Sequence, residues 1–454
     1  MNQKTRLRRL GAATALTAAA ALALSGCSPA AVDYTIDDKA PSHLEGTVSF
    51  YHFFSDREAD VIQSVIDDFE VANPDVTVEV HSGQDDEKLR KVISSGGDVD
   101  LGLSYSTDIV GNFCSSGFAD SGSGAFRDLT PYIERDSVDL GQFSDTVRSY
   151  TEFDGIRCTL PVLADVYGLY YNVDLLAAAG FTEPPTTLSE LEEMANALTT
   201  YNDDGSIKTL GFNPLMGFYE NSASHYGPLA NATWLDADGR AAIAGDPGWE
   251  ALIEWQTAFA NSIGVDKLQA FTAGLGQEFS ADNAFQTGQV AMNLDGEYRT
   301  AFIDDQTPDL NYATAPMPVA DGFEDLYGAG YITGNIAGIA KGSKNPELAW
   351  ALLKYLTTDT DAIVKLSNGL KNAPTTTAAL ESPDLEVSAQ FQTFLDIMAN
   401  PHSATTPPSP LGAGYQQTFE DFWHTYQVDG GDLDAGLTDV NKQIDESLDL
   451  VSGP

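Results

Sequence analysis

Six histidines, at positions 43, 52, 81, 225, 402 and 424, are the first candidates for metal chemistry, and they are scattered. No HExxH or similar spacing links them, so no zinc centre follows from the pattern. Asp236-Ala237-Asp238-Gly239 invites a calcium loop. With Gly239 at loop position 6, however, Trp234 falls at position 1 and Gly245 at position 12, and neither side chain offers a carboxylate. A tight turn accounts for it better, as for Asn202-Asp203-Asp204-Gly205. The chain has neither a GxSxG nucleophile elbow nor a GxxxxGKS/T phosphate cradle. Carboxylate pairs of the kind that cleave glycosides are plentiful among 67 Asp and Glu, but their spacing across a sugar cannot be read from order along the chain. No metal and no cofactor is expected.

Charge narrows the partners. The 67 acids face 23 Lys and Arg, a formal net charge of −44. Such a surface repels phosphate backbones, which excludes nucleic acid, and disfavours a peripheral hold on anionic lipid. Anion capture needs converging bases, which are scarce.

The elements that must position any site start after a leader. Lys4, Arg6, Arg8 and Arg9 precede a largely apolar run from Leu10 to Leu24, too short to span a bilayer. Leu24-Ser25-Gly26-Cys27 resembles the lipobox of bacterial lipoproteins, which implies residues 1–26 as signal peptide, lipid on Cys27 and 27–43 as a tether. The alternative is an ordinary secretory signal with a chance cysteine. Removal of residues 1–26 takes away four bases and no acid, leaving 19 against 67. Cys114 and Cys158 then remain, an even pair in an oxidising compartment: either a disulfide worth ~3–4 kcal/mol or two buried thiols.

Beyond the tether, strand and helix alternate, and 454 residues suggest two or three lobes. Val48 to Phe54 reads as a strand. Asp56 can cap a helix with Ile62, Val65, Ile66 and Phe69 on one face, which Asn73-Pro74 ends. Val76, Val78 and Val80 alternate as a second strand, so the unit is βαβ and the class α/β. Val99 to Leu103 reads as a third strand. Thr187-Leu188-Ser189-Glu190 is a capping box, and Asn345-Pro346 places a cap and an N1 proline before a leucine-rich helix. Pro401 to Pro410 reads as a surface connection.

Several segments, in order, resemble the sugar-binding family of extracellular solute-binding proteins of ABC importers, the family of maltose-binding protein. They include Phe50-Tyr51-His52-Phe53-Phe54, Asp128-Leu129-Thr130-Pro131-Tyr132-Ile133 and Gly168-Leu169-Tyr170-Tyr171-Asn172. Gly288-Gln289-Val290-Ala291-Met292 with Gly296, and Lys341 to Trp350, complete the series. Val99 stands where the family usually has proline. The resemblance implies a two-lobed, periplasmic-binding-protein-like (Venus flytrap) α/β fold with discontinuous lobes joined by a multi-strand hinge. Crossings near 165, 331 and 385 give lobe 1 as 44–165 with 331–385 and lobe 2 as 166–330 with 386–454. It implies a carbohydrate receptor with no catalytic step, held on the outer face of the bacterial membrane, a monomer that docks on separate permease subunits. A secreted glycoside hydrolase and a polyamine receptor are the alternatives.

Pyranoses stack apolar C–H faces on rings and donate hydroxyls to carboxylates, and the residues the resemblance carries over have those types. Tyr298 stands where the family commonly stacks a Trp. Asp165 matches a cleft carboxylate at the first crossing, and Tyr105 with Asp108 a ring-and-carboxylate pair. His52 and Asp56 end the first strand, with a helix cap as the alternative role for Asp56. Gln84, Trp234, Glu297, Arg299, Tyr331 and Tyr415 are further candidates, with Glu220 and Tyr226 in an irregular loop.

Overall fold

The computed structural model describes residues 36–114 and 125–452; the leader and Cys27 lie outside them. Strand β1 (Gly46–Tyr51) buries Val48 and Phe50 on one face. β2 (Val76–His81) runs parallel to it, from Gly46 opposite Val76 to Tyr51 opposite His81. The helix between them, Asp56–Ala72, buries the four residues its period predicts: Ile62, Val65, Ile66 and Phe69. Its cap is corrected. Ser55 holds the N-cap position without a capping bond, its hydroxyl donating to Asp56 Oδ2 at 3.4 Å, and Asp56 sits at φ 48 in the left-handed region.

β3 (Leu101–Ser104) lies parallel to β1 on its other side. It starts two residues later than expected because Asp100 is occupied elsewhere. That carboxylate accepts from the Ser49 amide at 3.0 Å and the Ser343 hydroxyl at 2.6 Å. β4 (Leu160–Asn172) is thirteen residues long and almost wholly buried, as its near-continuous apolar sequence requires. β5 (Thr200–Tyr201) and β6 (Ile207–Thr209) form a hairpin closed by Gly205 at φ 83. β7 (Met292–Gly296), β8 (Tyr312–Ala315), β9 (Ile332–Ile339) and β10 (Ala373–Pro374) complete the strands.

The main sheet runs β10-β4-β9-β3-β1-β2, with β7 and β8 also on β4. β4 is divided between neighbours. Leu160 to Val166 pairs antiparallel with β9, and Ala164 meets β10. Tyr167 to Asn172 pairs antiparallel with β7 and β8.

Two buried clusters follow that division. The first holds Phe50, Ile66, Leu101, Leu163, Ile339 and Trp350; the second holds Leu169, Leu191, Trp249, Leu294, Phe419 and Trp423. Val166 and Tyr167 fall in different clusters, as do Tyr331 and Ile332, while Tyr170, Phe285 and Ile303 between those points pack with the first. A third change falls between Ile397 and Tyr415, because the helix Ala389–Ala399 gives Phe394 and Ile397 to the first cluster.

Local signals mostly hold. Thr187 and Glu190 close a reciprocal capping box on the helix Leu188–Leu198. Pro346 opens the helix Pro346–Thr358, but Asn345 makes no side-chain cap. Gly239 turns the chain at φ 74 with its amide on the Asp236 carbonyl. The segment 401–410 is not a plain surface connection, since Ser403, Thr406 and Ser409 are buried. A Cβ on Gly111 would fall 1.8 Å from the Ser409 carbonyl oxygen, so that approach requires glycine. Cys114 and Cys158 form a disulfide with Cα atoms 5.3 Å apart.

Candidate ligand site between the two cores

A cavity of about 760 Å³ lies between residues of the two clusters, outside the carboxyl ends of β1 and β3. One wall is the turn from β1 into its helix, from Phe53 to Glu58, with Tyr105, Ser106 and Asp108 after β3. The floor is Asp165 on β4, Thr333 and Asn335 on β9, and Asn372 before β10. The facing wall carries Tyr167, Glu220, His225, Phe279 and Tyr298. Asp56, the left-handed residue, is part of the lining, and backbone strain of this kind collects at ligand clamps.

Tyr298 is placed by the end of β7. A Cβ on Gly296 would sit 2.2 Å from its ring, so glycine there makes room for the phenol. Its hydroxyl donates to Glu220 Oε1 at 2.6 Å, and Tyr167 meets its ring edge-on at 6.3 Å. Burial, then the Glu220 charge, raises the phenol's pKa. Asp165 is 6% exposed. It accepts from Asn335 Nδ2 at 3.2 Å and from Asn372 Nδ2, which also reaches Glu297 at 3.2 Å. Burial pushes Asp165 up to about 8 against the Asn372 bond, with Glu220 and Glu58 adding to the rise.

Tyr105 is 49% exposed, edge-on to Phe53 at 5.6 Å. Asp108 accepts from Ser106 at 3.0 Å, Thr406 at 3.0 Å and Gln416 at 2.6 Å, so it ties the first wall to the later helices. Tyr331 turns its ring to His225 at 4.9 Å, with its hydroxyl 3.2 Å from Thr406 Oγ1.

The other expected residues lie outside the lining. His52 continues the inward face of β1, following Val48 and Phe50 at period two; it is fully buried, neither ring nitrogen has a partner, and burial lowers it to about 4. Gln84 turns back onto the Ser82 carbonyl at 3.0 Å. Trp234 and Tyr415 are core rings, 5.5 Å apart and packed with Phe419 and Trp249. Glu297 lies beneath Asp165, accepting from the Val166 amide at 2.6 Å; burial, then the Asp165 charge, raises it well above the carboxylate range. Tyr226 is buried on Asn221 at 3.1 Å. Arg299 is buried on Asp295 at 2.8 Å, its guanidinium beside the Phe279 and Phe302 rings that do line the cavity.

Sequence reading missed Tyr167, Phe279, Asn335 and Asn372. Tyr167 had a signal, being two residues after Asp165 and so on the same strand face. Asn372 had none, because it follows Lys371, whose φ of 61 ends a helix, and reaches the floor through tertiary packing alone.

Among the described residues, Glu220, Glu278 and Asp295 have ligand atoms within 4.8 Å of one another. Arg299 already occupies Asp295, and its Nη2 lies 3.8 Å from Glu278, so the group supports Arg299. Burial, then Glu220 and Asp295, pushes Glu278 up to about 10, and burial moderated by Arg299 leaves Asp295 at about 6.

These carboxyls set a sign for stability. A group whose pKa rises on folding contributes fully below its unfolded value, and that contribution is lost as pH climbs through the folded one. Asp165 therefore lowers stability between about pH 4, its ordinary value, and about 8, and Glu297 acts in the same direction. Asp136 acts oppositely. Burial works against its charge, yet bonds from Arg135, Lys354 and Trp350 hold it at about 2, so its contribution fades as pH falls below about 4. The urea midpoint should be highest in mildly acidic buffer, and Asp165→Asn should flatten the decline toward pH 8. An unchanged slope in the variant would remove Asp165 as its source.

Comparison with known proteins agrees with this architecture. The family described as bacterial extracellular solute-binding protein matches residues 55–363. A maltotriose-binding protein of Pyrococcus abyssi is 23% identical over 370 residues, 81% of this chain and 75% of its own length. A binding protein of Brucella abortus is 26% identical over 319 residues, 67% of this chain and 70% of its own. The solved structure of CpMnBP1 with mannotriose bound superposes with a TM-score of 0.77 at 23% identity, over 88% of this chain and all of that one. From the breadth of the family match and the shared two-lobed α/β fold, the chain belongs to the bacterial extracellular solute-binding proteins, receptors that bind a solute and do not transform it.

Proposed function

We propose that this chain is the carbohydrate receptor of an ABC importer. A mono- or oligosaccharide is held between lobe 1, 44–165 with 331–385, and lobe 2, 166–330 with 386–454, except that the helix Ala389–Ala399 packs Phe394 and Ile397 into the first core. Binding favours the closed arrangement of the lobes, and the closed receptor docks on a separate membrane permease. The observation that carries the reading is the ring-and-carboxylate pair Tyr298–Glu220 lining one cavity with Asp165. Relatives named for maltotriose and mannotriose support it. A calorimetric screen across mono- and oligosaccharides tests it. At least one neutral or amine-bearing sugar should bind, with no product formed. Binding of polyamines alone would overturn the sugar assignment.

Lipid on Cys27 completes the proposal by anchoring a monomer to the outer face of the membrane. Cys27→Ser should move nearly all of the protein from the membrane fraction to the medium; continued retention would count against the anchor.

A further inference from the structure

We infer that the guest carries a protonated amine, seated against Asp165 and Asn335, so that the ligand is an amino sugar. This rests on the carbohydrate reading of the cavity.

Hydrogen-bond supply at the floor is one-sided. Asn335 is 3% exposed, and while its Nδ2 serves Asp165, its Oδ1 has no donor. Among the lining residues, Asn372 Nδ2 is engaged on Asp165 and Glu297 and the Tyr298 hydroxyl on Glu220, and Thr333 shares one bond with Thr107 at 2.9 Å; the Tyr150 hydroxyl, buried near Asp165 but outside the lining, has no partner. Sugar hydroxyls bring one proton each and also seek donors. An ammonium brings three protons and seeks none, which matches the floor once Asp165 has released its own proton.

Charge points the same way. Asp56, Glu58, Asp108, Asp165 and Glu220 line the cavity. The one Arg or Lys among the lining residues is Arg57, against which Asp305 of the same lining lies at 2.9 Å; its Nη1 donates to the Gly369 carbonyl at 2.6 Å and its Nη2 has no partner, so acids still outnumber it. The His225 ring is buried, which lowers its pKa and favours the neutral form. Facing Asp165 are Glu297 behind it, Glu58 and Glu220, and the Tyr150 and Tyr167 hydroxyls, none of them a cation. The Tyr167 and Tyr298 rings add faces that attract an ammonium. An amine would supply the missing countercharge, and Asp165, kept protonated by burial, would give up its proton as the amine arrives.

The test is calorimetry on the full chain at about pH 6, where amines stay protonated, with four probes: a glucosamine trisaccharide, its N-acetylated form, mannotriose and spermidine. The free-amine trisaccharide should bind roughly tenfold or more tighter than the acetylated one, the scale of a charge-assisted bond. Its apparent enthalpy should vary with buffer because a proton is released. Asp165→Asn should erase that preference, and the native protein's ranking of probes stands as evidence if the variant does not fold. Equal or tighter binding of the acetylated form or mannotriose overturns the amine and leaves the carbohydrate reading intact. Spermidine binding without sugar binding overturns the carbohydrate reading. Binding of none overturns the amine.

Discussion

Removing the Cys114–Cys158 bridge, by Cys→Ala at both positions, should lower the free energy of unfolding by about 4 kcal/mol, the chain-entropy value for a loop of this length. The two cysteines are 44 residues apart in sequence, so the bond mainly restricts the unfolded chain. Both sulfurs are buried, and Phe113 packs edge-on to Phe126 at 4.8 Å beside them, so alanine leaves little polar disturbance. Cys114 ends the short helix Val110–Cys114, which follows directly on the turn holding Asp108. The bridge thus steadies the base of one cavity wall, and ligand affinity should change far less than stability. Urea unfolding of the native and double-variant proteins measures it. A loss below about 1 kcal/mol would mean that the unfolded chain is already compact there.

Tyr298→Ala should weaken binding of the cognate sugar by ~1–3 kcal/mol, the scale for an aromatic ring removed from a stacking contact. Two effects add. The ring's apolar face is lost, and Glu220 Oε1 loses the hydroxyl that donates to it at 2.6 Å. Tyr298→Phe separates them, keeping the ring and sacrificing roughly 1 kcal/mol. Calorimetry on the three proteins decides: equal affinity for alanine and tyrosine would remove Tyr298 from the binding surface.

Much of the frame was legible because it rests on local physics. The apolar period of Ile62, Val65, Ile66 and Phe69, the alternation in β2 and the box at Thr187 and Glu190 are each fixed by neighbours a few residues away. The site was legible only through types and order. Tyr298, Asp165, Tyr105, Asp108, Asp56 and Tyr331 all reach the cavity lining. What failed was direction. His52 shares its strand face with Phe50, so it points to the core, and Glu297 and Tyr298 are adjacent yet diverge where a strand gives way to a helix. Trp234 and Tyr415 are ring types suited to sugar, but packing with Trp249 and Phe419 claims them. No pattern within a short window could separate these fates.

Because β4 belongs to both cores without a break, neither half of this molecule is a detachable fragment. Severing the chain near Tyr167 would leave each piece with a frayed strand end and unmatched amides, so co-expressed halves cut there should fail to reassemble. Reporter insertions or split points belong instead at the exposed Asp236–Gly239 turn, away from this shared ribbon.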